Sequence, residues 1–76
     1  MDVMETIRAR YSEVSSVQKR IADYCLEHPD AASFQTLREF AQTTHTTDAT
    51  VLKFCRNMGY HGFVCFSSAL SFLSFV

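Results

Sequence analysis

Apolar residues recur along most of this chain at intervals of three and four, which is the spacing of one face of an α-helix. The pattern is interrupted at Ser15, at Pro29, at Thr36, across residues 43–46 and across residues 59–62. No alternation of apolar and polar residues is long enough to indicate a β-strand, and no segment repeats another. The interruptions therefore predict five helices in a single all-α domain over residues 1–76, with approximate bounds of 2–11, 15–28, 36–42, 47–58 and 63–76.

Short local signals mark where these helices begin and end. Ser15 followed by Gln18, and Thr36 followed by Glu39, are capping-box patterns of helix N-termini. Gly59 is typical of the residue that follows a helix C-terminus. The residues on the inward faces of the predicted helices then give the expected core, which is Ile7, Ile21, Leu37, Phe40, Ala41, Val51, Phe54 and Met58.

The segment from residue 37 to residue 58 holds the pattern that indicates a function. Two short helices separated by a four-residue break form a helix-turn-helix, whose second helix lies in the major groove of DNA. Ala41 is small where the two helices would cross, and Val51 and Phe54 would pack the second helix onto the first. The predicted fold is therefore a five-helix bundle that contains a homeodomain-like helix-turn-helix without a wing.

The outward-facing residues of the second helix are mostly polar. Thr47, Thr50, Lys53 and Asn57 offer hydrogen-bonding groups and one cation along a single face, which suits contacts with base edges and phosphates. The same spacing also occurs in helical domains that do not bind DNA, so the spacing alone leaves both interpretations open. The candidate DNA contacts are Thr46, Thr47, Thr50, Lys53, Arg56, Asn57, Arg38 and Lys19.

A series of short motifs narrows this choice. They are Ile21-Ala22-Asp23-Tyr24, Pro29, Leu37-Arg38-Glu39-Phe40-Ala41, Ala49-Thr50-Val51, Phe54-Cys55 and Gly59-Tyr60-His61-Gly62-Phe63. With these motifs at their mutual spacing, roughly residues 1–70 resemble the N-terminal domain of the RpiR family of bacterial transcription regulators. The resemblance implies a five-helix DNA-binding domain that works as a dimer and regulates genes of sugar or sugar-phosphate metabolism. It also implies that Thr47, Thr50 and Lys53 are recognition residues.

Three features depart from the family pattern. His45 stands where the turn of the family usually has glycine, so the turn is expected to hold a side chain in left-handed geometry, which histidine tolerates better than most residues. Thr46 replaces an apolar residue that usually fills the space between the two helices. The family also carries a second, sugar-phosphate-binding (SIS) domain, which is absent from this sequence. No small-molecule effector site is therefore expected within these residues.

The charge of the chain limits where DNA could bind. The formal net charge is −1, so no overall positive field attracts nucleic acid or an acidic membrane. Residues 36–57 carry three basic and two acidic side chains, whereas residues 1–35 carry four basic and six acidic ones. A contact with double-stranded DNA must therefore come from the local patch of the helix-turn-helix.

The last twenty residues carry no charge, and residues 63–76 form a largely apolar segment with four serines. As a helix this segment would span about 21 Å, which is short of the roughly 30 Å hydrocarbon core, so no membrane anchor is expected. One apolar face could cover the core of the domain, while the other would be exposed unless a partner covers it. This leaves an alternative interpretation, a homodimerising interaction module, with the expected interface residues Phe66, Ala69, Phe72, Leu73 and Val76.

Candidate chemistry is otherwise sparse. Cys25 and His28 form one closely spaced pair of metal ligands where a structural zinc site usually needs two pairs, so no metal or cofactor is expected. No nucleophile stands beside a base in the sequence pattern, and no glycine-rich loop could hold a phosphate, so an enzyme is not predicted. The three cysteines show no disulfide pattern, and the N-terminal segment is charged, unlike a signal peptide. Both features indicate a protein of the reducing cytoplasm.

Overall fold

The computed structural model describes the backbone of residues 2–74 and the side chains of residues 2–72. Within this range the chain forms six α-helices and no β-strand, which confirms the all-α fold class. A short 3₁₀ helix over Tyr11–Glu13 follows the first helix. The helices are α1 (Val3–Arg10), α2 (Ser16–Glu27), α3 (Pro29–Ser33), α4 (Leu37–Thr43), α5 (Asp48–Asn57) and α6 (Phe63–Ser74).

Helix α3 is additional to the five helices that the sequence pattern predicts. The pattern correctly ends α2 before Pro29, but this proline then occupies the first turn of a new helix. Proline is well tolerated there, because the missing N–H would have no partner within the helix and the fixed φ suits a helical start. Ala32 of this short helix is fully buried in the core. The expected bundle therefore holds, with one further short helix.

The two predicted capping sites differ in their geometry. The Thr36 hydroxyl accepts from the Glu39 N–H at 3.2 Å, and the Glu39 carboxylate accepts from the Thr36 N–H at 2.9 Å, which completes the capping box. These hydrogen bonds to the charged form lower the pKa of Glu39. The Ser15 hydroxyl likewise accepts from the Gln18 N–H at 3.2 Å, but the Gln18 side chain turns to another partner, described below. Ser15 is thus a simple N-cap.

The core lies where α6 packs against α1, α3 and α5. Seven of the eight predicted core residues are buried, and Leu37 is partly buried against the same cluster. Phe66 of α6 stands edge-on to Phe54 of α5, with the ring centroids 5.8 Å apart, and edge-on to Tyr60 at 5.6 Å. Such edge-to-face pairs are a favoured aromatic geometry, and they place α6 over the inner side of α5.

The described helices include none that is both long enough and apolar enough to cross a membrane. Cys25 and Cys55 are buried, whereas Cys65 is exposed. Burial raises the pKa of the Cys55 thiol to about 12 and also raises the pKa of Cys25. The two core thiols are therefore protonated and act as small apolar side chains.

Candidate nucleic-acid interface

The turn between α4 and α5 is built from the end of α4. The His45 N–H donates to the Gln42 carbonyl at 3.1 Å, and the Thr46 N–H donates to the Ala41 carbonyl at 2.9 Å. This pair of bonds is the Schellman arrangement, in which the residue after the helix cap adopts left-handed geometry. His45 has a φ of 57°, so the side chain that replaces the family's glycine is accommodated as the sequence predicts.

A pair of threonines fills the turn from inside. The buried hydroxyl of Thr44 donates to the Phe40 carbonyl at 2.9 Å, and its oxygen lies 2.9 Å from the hydroxyl oxygen of Thr46. Because the Thr44 proton is used on Phe40, the Thr46 hydroxyl is the donor to Thr44. Thr46 thus satisfies a polar neighbour where the family has an apolar side chain. Its hydroxyl is directed into the turn, so the structure does not group it with the exposed candidate contacts.

Thr47 caps the N-terminus of α5. Its hydroxyl accepts from the Thr50 N–H at 3.2 Å, and the two hydroxyl oxygens lie 3.0 Å apart. Thr47 is exposed and Thr50 is partly exposed. This arrangement fixes the first turn of α5 and brings both hydroxyl groups to the end of the helix where a recognition helix contacts base edges.

Three basic side chains lie on the outside of the helix-turn-helix. Lys53 and Arg56 are exposed on α5, and Arg38 is exposed on α4. Within residues 2–72, none of the three makes a hydrogen bond or an ion pair with another side chain. The opposite side of α5 is anchored in the core by Val51 and Phe54. The helix therefore presents uncompensated positive charge away from the domain.

Two other candidate contacts are engaged within the fold. The side-chain amide of Asn57 donates to the Gln18 side chain at 2.9 Å, and Gln18 is almost fully buried in α2. The Lys19 ammonium lies 5.6 Å from the centre of the Tyr11 ring, which is the geometry of a cation–π contact. One N–H of the Asn57 side chain is thus bonded within the fold, although Asn57 itself is exposed.

Two arginines that the sequence pattern does not single out hold the ends of α5. The Arg10 guanidinium of α1 donates to the Asn57 carbonyl at 2.6 Å, at the C-terminal end of α5. The Arg20 guanidinium of α2 donates to the His45 carbonyl at 2.9 Å, in the turn before α5. The residues that form these two contacts are 47 and 25 positions apart in the sequence, so no local pattern could have revealed the contacts. They fix the orientation of α5 relative to the rest of the domain.

The expected interface residues on α6 fall into different environments. Phe66 is fully buried in the chain's own core, so the prediction that it lies in an interface is wrong. The sequence shows two apolar faces on α6 but does not show which of them turns inward. Ala69 is partly buried against the core, and Phe72 is 71% exposed. The Leu73 side chain and Val76 lie outside the described residues.

The surface beside the turn is a shallow groove of about 440 Å³, lined by charges of both signs, including Arg20, Asp23 and Glu27. Among the described side chains, no three histidines, cysteines or carboxylates come close enough together to hold a metal ion.

Comparison with known proteins agrees with this geometry. The sequence pattern of the helix-turn-helix domain of the rpiR family matches residues 1–72. An uncharacterized HTH-type transcriptional regulator of Haemophilus influenzae is 36% identical over 70 residues, which are 92% of this chain and 24% of that protein. The chain spans about a quarter of the length of that protein and of the uncharacterized HTH-type transcriptional regulator YfhH of Escherichia coli.

Solved structures that are similar to most of this chain include two transcriptional regulators. The Vibrio vulnificus NanR protein complexed with ManNAc-6P superposes with a TM-score of 0.91 at 36% identity, over 96% of this chain and 28% of that one. The N-terminal domain of the transcriptional regulator ybbH from Bacillus subtilis superposes with a TM-score of 0.85 at 25% identity, over 91% of this chain and 84% of that one.

Proposed function

Because the chain belongs to the RpiR family of helix-turn-helix domains, we propose that it reads a specific duplex DNA sequence by placing α5 in the major groove. The observation that carries this proposal is the outward side of α5. It presents Lys53 and Arg56 without partners, while both ends of the helix are held by arginines from α1 and α2. A rigid helix that displays unpaired cations matches the needs of a recognition element.

The side chains divide by their reach and chemistry. Lys53 lies in the middle of α5 and would contact a base edge, for which guanine offers two acceptors in the major groove. Arg56 and Arg38 flank the unit and would contact phosphates, which set the register of the protein on the duplex. The hydroxyl groups of Thr47 and Thr50 share one hydrogen bond, so one of their two protons stays available to a phosphate oxygen near the helix N-terminus.

The regulated genes would be those of sugar or sugar-phosphate metabolism. The similarity to NanR, whose structure holds the phosphorylated sugar ManNAc-6P, supports this assignment. The present chain would supply DNA binding in the cytoplasm, and an effector would act from outside these residues. We propose no catalytic activity for the domain, because its distinctive side chains are those of the helix-turn-helix.

A homodimer would place two such helices on the DNA. Phe72 and Val64 are exposed on the outer side of α6, and Ala69 lies at the edge of this surface, partly buried against the core. A second copy of α6 would cover this apolar surface, with Leu73 and Val76 as further contacts. A symmetric dimer of this kind matches a palindromic operator with half-sites about 34 Å apart.

The test is binding of the domain to duplexes enriched from a random DNA pool, measured by fluorescence anisotropy at low salt. We expect Lys53→Ala to weaken binding to the enriched duplex by about 1–3 kcal/mol if Lys53 contacts a base bidentately. The matched control is Arg8→Ala, which removes the same charge from α1 and should have a smaller effect. If no duplex outcompetes random DNA, or if Lys53→Ala binds as well as the parent, the interaction-module interpretation replaces this one.

A further inference from the structure

The outward side of α5 also carries an apolar strip that the polar candidates do not explain. Ala49 is exposed, and Leu52, one turn further on, is partly exposed. Among the described residues, Leu52 is not one of the apolar side chains that pack against the core, although Val51 and Phe54 beside it are fully buried. Residues three apart on a helix share a face, so Ala49 and Leu52 form one continuous strip.

Cations border this strip. Lys53 lies four residues after Ala49, and Arg56 lies four residues after Leu52, so both belong to the same side of the helix. The strip also begins in the first turn of α5, beside the capping hydroxyl of Thr47. An apolar protein surface would be a poor partner for this strip, because its binding would remove water from two unpaired cations at a cost in free energy. A polyanion that displays small apolar groups would satisfy both parts of the surface.

The major groove of DNA offers one such group. The C5 methyl of thymine is the apolar group on the floor of this groove. Cytosine has no such methyl group and presents an amino donor. The first turns of a recognition helix are the part that contacts base edges. The apolar strip, its position in the first turns of α5 and its cationic border therefore all suit a thymine methyl group in the major groove.

We propose that Ala49 and Leu52 are specificity-determining residues that contact thymine methyl groups in the operator. The inference rests on the proposed function and adds the kind of base that α5 selects beside the Lys53 contact. The two side chains are about 5–6 Å apart along the helix, while base pairs are about 3.4 Å apart, so the two thymines lie in adjacent or next-adjacent base pairs.

The experiment replaces each thymine of the enriched duplex, one at a time, with deoxyuridine. This change removes the methyl group and leaves Watson–Crick pairing and every hydrogen-bonding group in place. We expect the dissociation constant to rise about fourfold at one or two positions in each half-site, which is the effect of exposing about one apolar carbon. The remaining thymines should show less than a twofold change.

Protein variants then identify the residue that contacts each methyl group. Leu52→Gln should reduce the deoxyuridine effect at one sensitive position to less than twofold, and Ala49→Ser should do the same at the other. Leu52→Met, which keeps an apolar side chain of similar volume, should retain the effect. Lys53→Ala should weaken binding to the enriched duplex and to each of its deoxyuridine derivatives by the same factor, so that the deoxyuridine effect stays in place. A thermal unfolding curve for each variant separates misfolding from a lost contact, and a misfolded variant is replaced by Leu52→Asn or Ala49→Gly.

The outcomes separate the two proposals. An enriched duplex whose affinity is insensitive to every deoxyuridine substitution would overturn the thymine contact and leave the proposed function intact. The same holds if Leu52→Gln and Ala49→Ser keep the full deoxyuridine effect. If no duplex is enriched at all, the proposed function fails and this inference fails with it.

Discussion

At the scale of single residues, His45 and Gly59 occupy equivalent positions behind α4 and α5. The main chain after each helix forms the same two hydrogen bonds, and both residues have positive φ, of 57° and 94°. Glycine adopts this region at no steric cost, whereas a residue with a Cβ loses roughly 1–2 kcal/mol there. Of these two helix ends, only the one in the turn of the helix-turn-helix therefore carries backbone strain.

Replacing His45 with glycine should release that strain. We expect His45→Gly to raise the free energy of unfolding in urea by about 0.5–1 kcal/mol, because the gain in the turn exceeds the larger chain entropy of glycine in the unfolded state. The control is Gly59→Ala, whose added Cβ would meet no atom within 4 Å and should lower stability by a similar amount through φ alone. A lower midpoint for His45→Gly would mean that the imidazole itself stabilises the turn.

Sequence reasoning succeeds at this scale for most local causes, although the predicted Ser15–Gln18 capping box is incomplete because the Gln18 side chain bonds to Asn57. The Thr36–Glu39 capping box, the end of α2 before Pro29 and the left-handed geometry of His45 each depend on residues within four positions, and each is present in the structure. The partner of Asn57 is different, because Gln18 is 39 positions away and reaches it only once α2 and α5 have packed.

At the scale of elements, the amphipathic pattern predicts α4 and α5 and their inner faces, which leaves Lys53 and Arg56 outside. It misses α3, because five residues are too few to display a helical period. It also misplaces Phe66, because α6 is apolar on most sides and only packing decides that this ring turns inward. A strongly one-sided helix can be oriented from its sequence, whereas a uniformly apolar one cannot.

The crossing of α4 and α5 gives a test at this scale. Ala41 is 3% exposed on α4, and α4 packs directly on α5. We expect Ala41→Leu to lower stability by about 1–3 kcal/mol, because the larger side chain overfills the space between the helices. The exposed neighbour Gln42→Leu should change stability by less than about 0.5 kcal/mol. Equal thermal midpoints for the two variants would contradict the close crossing at Ala41.

At the scale of the whole molecule, the outer side of α6 decides whether two copies associate. We expect the domain to sediment as a dimer at micromolar concentration, and Phe72→Asp to shift it to a monomer, because a carboxylate would be buried in the interface. Phe34→Asp is the matched control, since Phe34 is 72% exposed and lies outside α6, and its dimer should persist. A monomeric parent chain would contradict the proposed assembly.

The arginines that hold α5 also limit how many counterions the DNA releases when the domain binds. Of the seven lysines and arginines, Arg10 and Arg20 are bonded to main-chain carbonyls and Lys19 lies over an aromatic ring, which leaves four, namely Arg8, Arg38, Lys53 and Arg56. Each phosphate neutralised by a cation releases counterions and adds about −0.9 to the slope of log K against log salt. Each protomer should therefore contribute a slope no steeper than about −3.6. The same hydrogen bonds that orient α5 make its hold on DNA less sensitive to salt.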